Sequence, residues 1–168
     1  DVIDIEAIGS TVLNYCNGGL NPFAVQAAIE YGARVVWGPT IDARHHAEQT
    51  GQLGAFLDVE SGPEYDDATG IEALDDQGDL REDVRLCVEK VAANDLVLGL
   101  GHLSYPETRA IVSYAADLGH ENVVIDHPNY HVTDLDQNQQ TELVGLGAVL
   151  NFPLMALSPK YHWRDSAD

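Results

Sequence analysis

Apolar runs alternate with helix-spaced apolar positions along most of the chain. Residues 7–16 (AIGSTVLNYC) read as a strand, and the turn NGG follows. Asn21 then caps a helix with Pro22 in its first turn. Val25, Ala28, Ile29 and Gly32 recur at helical spacing, with Gly32 as the stop. The run ARVVWGPT is continuous and apolar, as a parallel strand covered on both faces would be. Residues 81–93 predict a helix with Val84, Cys87, Val88 and Val91 on one face, and residues 96–101 a strand. Ser104 and Glu107 form a capping-box pair that opens a helix whose inner face is Ile111, Tyr114, Ala115 and Leu118. Residues 123–126 form the next strand. Thr133 or Asp134 opens a last helix running to Leu146, and Gly147 precedes the strand AVLNF.

Five strands separated by helices predict a parallel α/β fold in a single domain over residues 1–168. A full barrel of eight strand–helix units needs roughly 250 residues, so the expectation is a small open sheet or an incomplete barrel. Only residues 41–80 break the alternation. They are rich in turn formers and acid, and GIEALDDQGDL within them suggests a small hairpin with Gln77-Gly78 near its tip. The stretch reads as an insertion after a strand.

Charge narrows the partners. The 168 residues carry 28 Asp+Glu against 8 Lys+Arg, a formal charge of −20, spread along the whole chain rather than held in a tail. Such a surface repels nucleic acid and anionic membrane. An acid-rich, lysine-poor surface on an ordinary core suits a salt-rich cytoplasm, because at molar salt the Debye length falls to about 3 Å. No run of 18 apolar residues and no signal peptide is visible, so a reducing cytoplasm is expected. Cys16 and Cys87 show no paired or metal-type spacing and read as two buried thiols.

The candidate chemistry lies in histidines. LVLGLGH and NVVIDH are apolar strands that each end on a histidine, His102 and His127, with one helix between them. Functional groups of parallel α/β folds gather at the C-terminal strand ends. Two imidazoles on neighbouring strands, about 4.8 Å apart, can reach one divalent ion. Gly99 and Gly101 leave room there. Taken singly, such a histidine is better explained as a strand-end capping or packing residue; two in matched positions on consecutive strands favour the metal. His131, four residues after His127, reads as a substrate contact, a surface residue or a ligand. His45 and His46 follow the second strand at the same end of the sheet. His120 sits at a helix C-terminus, where a cationic imidazole suits the dipole. His162 lies in the polar tail. Asp126, beside His127, would face the other side of the sheet if the pleat holds to the strand end. No nucleophile elbow, Walker loop or dinucleotide loop occurs.

GGLNPFAVQAAIEYGARVVWGPTIDARHH, LGLGHLSYPETRAIVSYAADLG and VVIDHP, in that order, resemble the amidohydrolase-like metal-dependent hydrolases, and GIEALDDQGDL resembles a small insertion found there. The resemblance implies a TIM-type (β/α) barrel, present here as an incomplete barrel of about five units. It also implies a divalent metal (zinc, manganese or iron) that activates water against an amide, ester or related bond of a small molecule. His102 matches the fifth-strand histidine ligand of that superfamily and His127 the sixth. The superfamily's HxH pair is absent, and no final-strand Asp follows Phe152. Asp165 and Asp168 sit in a polar tail. The expectation is truncation at both ends, with the general-base Asp outside the chain. By analogy, Trp37, His45 and His131 are the candidate substrate contacts. An incomplete barrel exposes two strand edges, which makes self-association an expected behaviour. Two other readings stand beside the hydrolase: a non-catalytic barrel that binds a small molecule or a partner, and an open-sheet binding or sensor domain with structural histidines.

Overall fold

The computed structural model describes residues 6–54 and 69–154. Its elements run β1 (Gly9–Val12), α1 (Pro22–Glu30), β2 (Ala33–Trp37), α2 (Arg44–Thr50), α3 (Glu82–Ala93), β3 (Val97–Leu100), α4 (Tyr105–Asp117), β4 (Val123–Asp126), α5 (Gln137–Gly145) and β5 (Val149–Asn151), with a short 3-10 turn at Tyr15–Asn17. The five strands form one sheet in sequential order, every neighbouring pair parallel. Among the described residues β1 and β5 each have one neighbour, so the sheet is open.

The sequential order requires each crossover to step one strand in the same direction. α1 packs against α3, α3 against α4 and α4 against α5, so the helices line up as the strands do. Register then separates two sheet faces. Val36, Leu98 and Val123 stand in one row, and Leu100 and Ile125 in the next. All five are buried, in one cluster with Val25, Val84, Val88, Val91, Ile111, Val112, Ala115 and Leu143 of the helices. Val35, Trp37, Val97 and Val124 point to the opposite face and are half-buried. Among the described residues no helix is long and apolar enough to cross a membrane.

Several helix ends form as the sequence dictates. Asn21 Oδ1 accepts the Phe23 N–H at 3.0 Å, and Gly32 follows α1 at φ +83°. Leu74 and Leu80 make an antiparallel bridge around Gly78, so the small hairpin is present. Other boundaries differ. β1 stops at Val12, because Asn14 turns its side chain onto Thr40: Oδ1 accepts the Thr40 N–H and Nδ2 donates to Thr40 Oγ1, both at 2.8 Å. Cys16 therefore lies on an exposed turn rather than buried in a strand, while burial pushes the Cys87 thiol up to about 12. On α4 the inner face includes Val112, and Leu118 is exposed. α5 is capped by Asp136, not by Thr133 or Asp134. Asp136 Oδ1 takes the N–H groups of Asn138 and Gln139. The stretch 41–80 holds a helix, α2, that periodicity did not show. His162, Asp165 and Asp168 lie outside the described residues, as do residues 55–68 of that stretch.

A candidate histidine centre

The C-terminal ends of β2, β3 and β4 bring three imidazoles together. His102 follows β3 and His127 follows β4, while His46 comes from α2, just beyond β2. The His46 and His102 Nδ1 atoms are 2.9 Å apart. Ring centroids lie 4.9 Å apart for His46–His102 and 5.0 Å for His102–His127. Both His46 and His102 are buried. With two ring nitrogens in direct contact, one donates and the other accepts.

Close approach depends on glycine at Gly101. A Cβ there would sit 3.1 Å from His127 Cε1 and 3.2 Å from its Nε2. The backbone at His127 is itself left-handed, φ +39°, which breaks the pleat at the end of β4. As a result Asp126 and His127 are near each other: Asp126 Oδ2 lies 3.9 Å from His127 Nε2, and its Oδ1 accepts from Asn151 Nδ2.

Thr133 fixes the His127 ring. Its hydroxyl has one proton and donates it to the Gly101 carbonyl at 2.5 Å. It must then accept from His127 Nδ1, 2.9 Å away. The imidazole is thereby held as its Nδ1–H tautomer, with the Nε2 lone pair left for another partner. His45 is bound similarly. Its Nε2 meets the Val132 carbonyl at 2.9 Å, which only an N–H can do, so α2 is tied to the loop after β4. The same loop stacks Tyr130 between His127 (5.5 Å) and His131 (4.2 Å), edge to face.

Burial and mutual repulsion disfavour the charged form of His102 and His127. Burial, reinforced by repulsion from the other four nearby imidazoles, pushes His102 down to about 3. Burial also lowers His127, against the pull of Asp126, and lowers half-buried His131, against Asp134. A neutral imidazole that offers an unprotonated nitrogen is what a divalent ion binds, and a hydrogen-bonded neutral imidazole is equally what a dry polar core tolerates.

Of the residues expected from sequence, His102 and His127 are neighbours as required, and His45 and His131 flank them. Trp37 lies elsewhere. Its indole covers Gly99 on the half-buried sheet face, where a Cβ on Gly99 would fall 2.2 Å from the ring. His46 and Thr133 were not singled out. His46 was visible only as half of a histidine pair, and Thr133 only as a helix cap. Among the described residues no group of three or more His, Cys, Asp or Glu side chains is arranged to hold a metal ion.

No curated protein and no solved structure matches the chain. Its sequence does match a family profile across residues 1–151, nearly its whole length. The chain belongs to that family, described as a family of unknown function (DUF6282).

Proposed function

We propose that the histidine centre is the protein-borne part of a divalent-metal site in a hydrolase acting on a small molecule, set on part of a TIM-type barrel. The observation that carries this reading is the His46–His102 contact. Two nitrogens that each bind an ion at roughly 2.05 Å lie about 2.9 Å apart for a right angle at the metal and about 3.3 Å for a tetrahedral one. The Nδ1 separation of 2.9 Å falls at the first value. That spacing suits two adjacent ligand positions once the donating imidazole switches tautomer, so that both Nδ1 lone pairs face the ion. His127, held by Thr133 with its Nε2 lone pair unprotonated, is the third donor, and it must move closer to join them. An ion bound there would supply an activated water and polarise the bond under attack.

The chain's own groups have narrower tasks. Gly101 lets the His127 ring sit against β3, and Thr133 fixes its tautomer. The depressed basicity of His102 keeps its ring neutral across the physiological range. Tyr130, His131 and His45 border the centre on the side of the loop after β4, where a small substrate would rest. The sequential parallel sheet, with its helices in the same order, supports the barrel reading, and the active end of such barrels is the C-terminal one.

A second reading is favoured by the same 2.9 Å contact taken at face value. A buried hydrogen bond between two neutral imidazoles is complete in itself and suits a non-catalytic binding domain. Metal analysis of protein purified in molar KCl separates the two. The hydrolase reading expects near-stoichiometric zinc, manganese or iron, lost in His46→Ala/His102→Ala with the fold retained. A wild-type protein free of metal, and indifferent to added Zn2+ and Mn2+, would rule the metal site out.

A further inference from the structure

Residues 70–73 form a strap between α2, which carries His46, and α4, whose N-cap Ser104 follows the turn that holds His102. At one end the strap meets the start of α2. That helix has seven residues, and Ala43 at its N-cap has no side chain able to cap it. The strap supplies the missing acceptor: the Arg44 N–H donates to the Ile71 carbonyl at 3.0 Å, and the Ile71 N–H donates back to the Asp42 carbonyl at 2.7 Å. Gly70, at φ +89°, makes this possible, since a Cβ there would lie 2.4 Å from Arg44 Cα. Glu72 adds an ion pair to Arg44 at 2.9 Å.

At its other end the strap is held by one carboxylate. Glu107 is buried in the first turn of α4 and accepts three hydrogen bonds. Oε1 takes the Ala73 N–H at 2.7 Å, and Oε2 takes the Ser104 N–H at 2.9 Å and the Ser104 hydroxyl at 2.5 Å. Its anchor residue, Ser104, lies two positions after His102. Arg44, gripped by the strap, lies two before His46.

We propose that Glu107 is a positioning residue that, through the 70–73 strap, sets the His46–His102 contact. The importance of that contact for chemistry rests on the metal reading above; the contact itself does not. α2 has a second tether, from His45 to the Val132 carbonyl. With the strap released, the helix stays attached there and pivots, and the two Nδ1 atoms separate. A carboxylate spent only on capping α4 would have no need to reach Ala73.

The test uses the full chain in molar KCl with Glu107→Ala, Glu107→Gln and a distant control, Tyr114→Phe, which loses a hydrogen bond to Glu89. Amide hydrogen exchange at Arg44, the 15N imidazole signals of His46 and His102, and the affinity for Zn2+ alone are measured. In Glu107→Ala we expect faster exchange at Arg44 without a matching rise in the core strands, loss of the hydrogen-bonded Nδ1 signature, and Zn2+ binding weakened about 10–100-fold. Glu107→Gln, which keeps an acceptor for Ala73, should recover part of each, and Tyr114→Phe should change none. Arg44 exchange and imidazole signals unchanged in Glu107→Ala would overturn the proposal. A wild type that binds no Zn2+ would defeat the metal reading alone, since the exchange and imidazole measurements still decide the positioning role. If Glu107→Ala does not fold, Glu107→Gln and Gly70→Ala carry the same measurements.

Discussion

His102 contributes to stability in a way that depends on pH. Its native pKa is pushed down to about 3, first by burial and then by its imidazole neighbours, whereas an unfolded histidine titrates near 6.5. Above about 6.5 both states are neutral and the native state keeps its full advantage. As pH falls, the unfolded chain takes up a proton that the native centre refuses, so stability is lost between about 6.5 and 3, by up to about 1.4 kcal/mol per unit. His127 and His131, also lowered, add to the same slope. Metal-free protein followed by denaturant titration should therefore weaken across this window, and His102→Asn should flatten the curve. A variant with the wild-type slope would show that His102 is not held neutral. Read from sequence, His102 and His127 were identifiable because apolar strands ended on them. His46 was not, because its partner is 56 positions away. Thr133 looked like a cap, and only the Gly101 carbonyl beside it shows why its hydroxyl is taken.

Helices and strands were legible where the local signal was complete. α1 has Asn21 and Pro22, α3 a four-residue apolar face, and the strands continuous apolar runs. α2 has none of these: it is short, polar and uncapped by its own residues, and its carbonyl acceptor is supplied by Ile71 from a distant segment. β1 was read too long because the Asn14–Thr40 pairing that ends it joins two separate loops. The contact between β2 and β3 is tightest where Trp37 lies over Gly99. Gly99→Ala should cost about 1–3 kcal/mol in denaturant unfolding, since the indole must leave its place. A loss below about 0.5 kcal/mol would mean that Trp37 repacks freely and that the sheet face beneath it is loose.

Over the whole molecule, charge and open edges dominate. A net charge of −20 on 168 residues repels itself in dilute buffer. Molar KCl screens that repulsion, so the melting temperature should rise steeply from 0.1 M to about 2 M KCl and level off as the Debye length approaches about 3 Å. A melting temperature independent of salt would contradict the view that the surface is built for a salt-rich medium. The five-stranded parallel order was legible in the alternation of elements, and the open sheet was one of its two expected outcomes. Exposed apolar side chains occur near both ends of the order, Ile8, Phe23 and Tyr31 around β1 and α1, and Val144, Val149 and Phe152 around α5 and β5. Further chain or a further copy would cover such edges.

On the metal-site proposal, His46 and His102 face each other to share an ion. Anomalous diffraction at the zinc edge, from crystals grown in molar KCl with Zn2+, addresses it most directly. One peak is expected about 2.0–2.1 Å from both Nδ1 atoms, with His127 drawn toward it. No peak at that position, with the two nitrogens still 2.9 Å apart in direct contact, would make the pair a structural hydrogen bond and overturn the metal site.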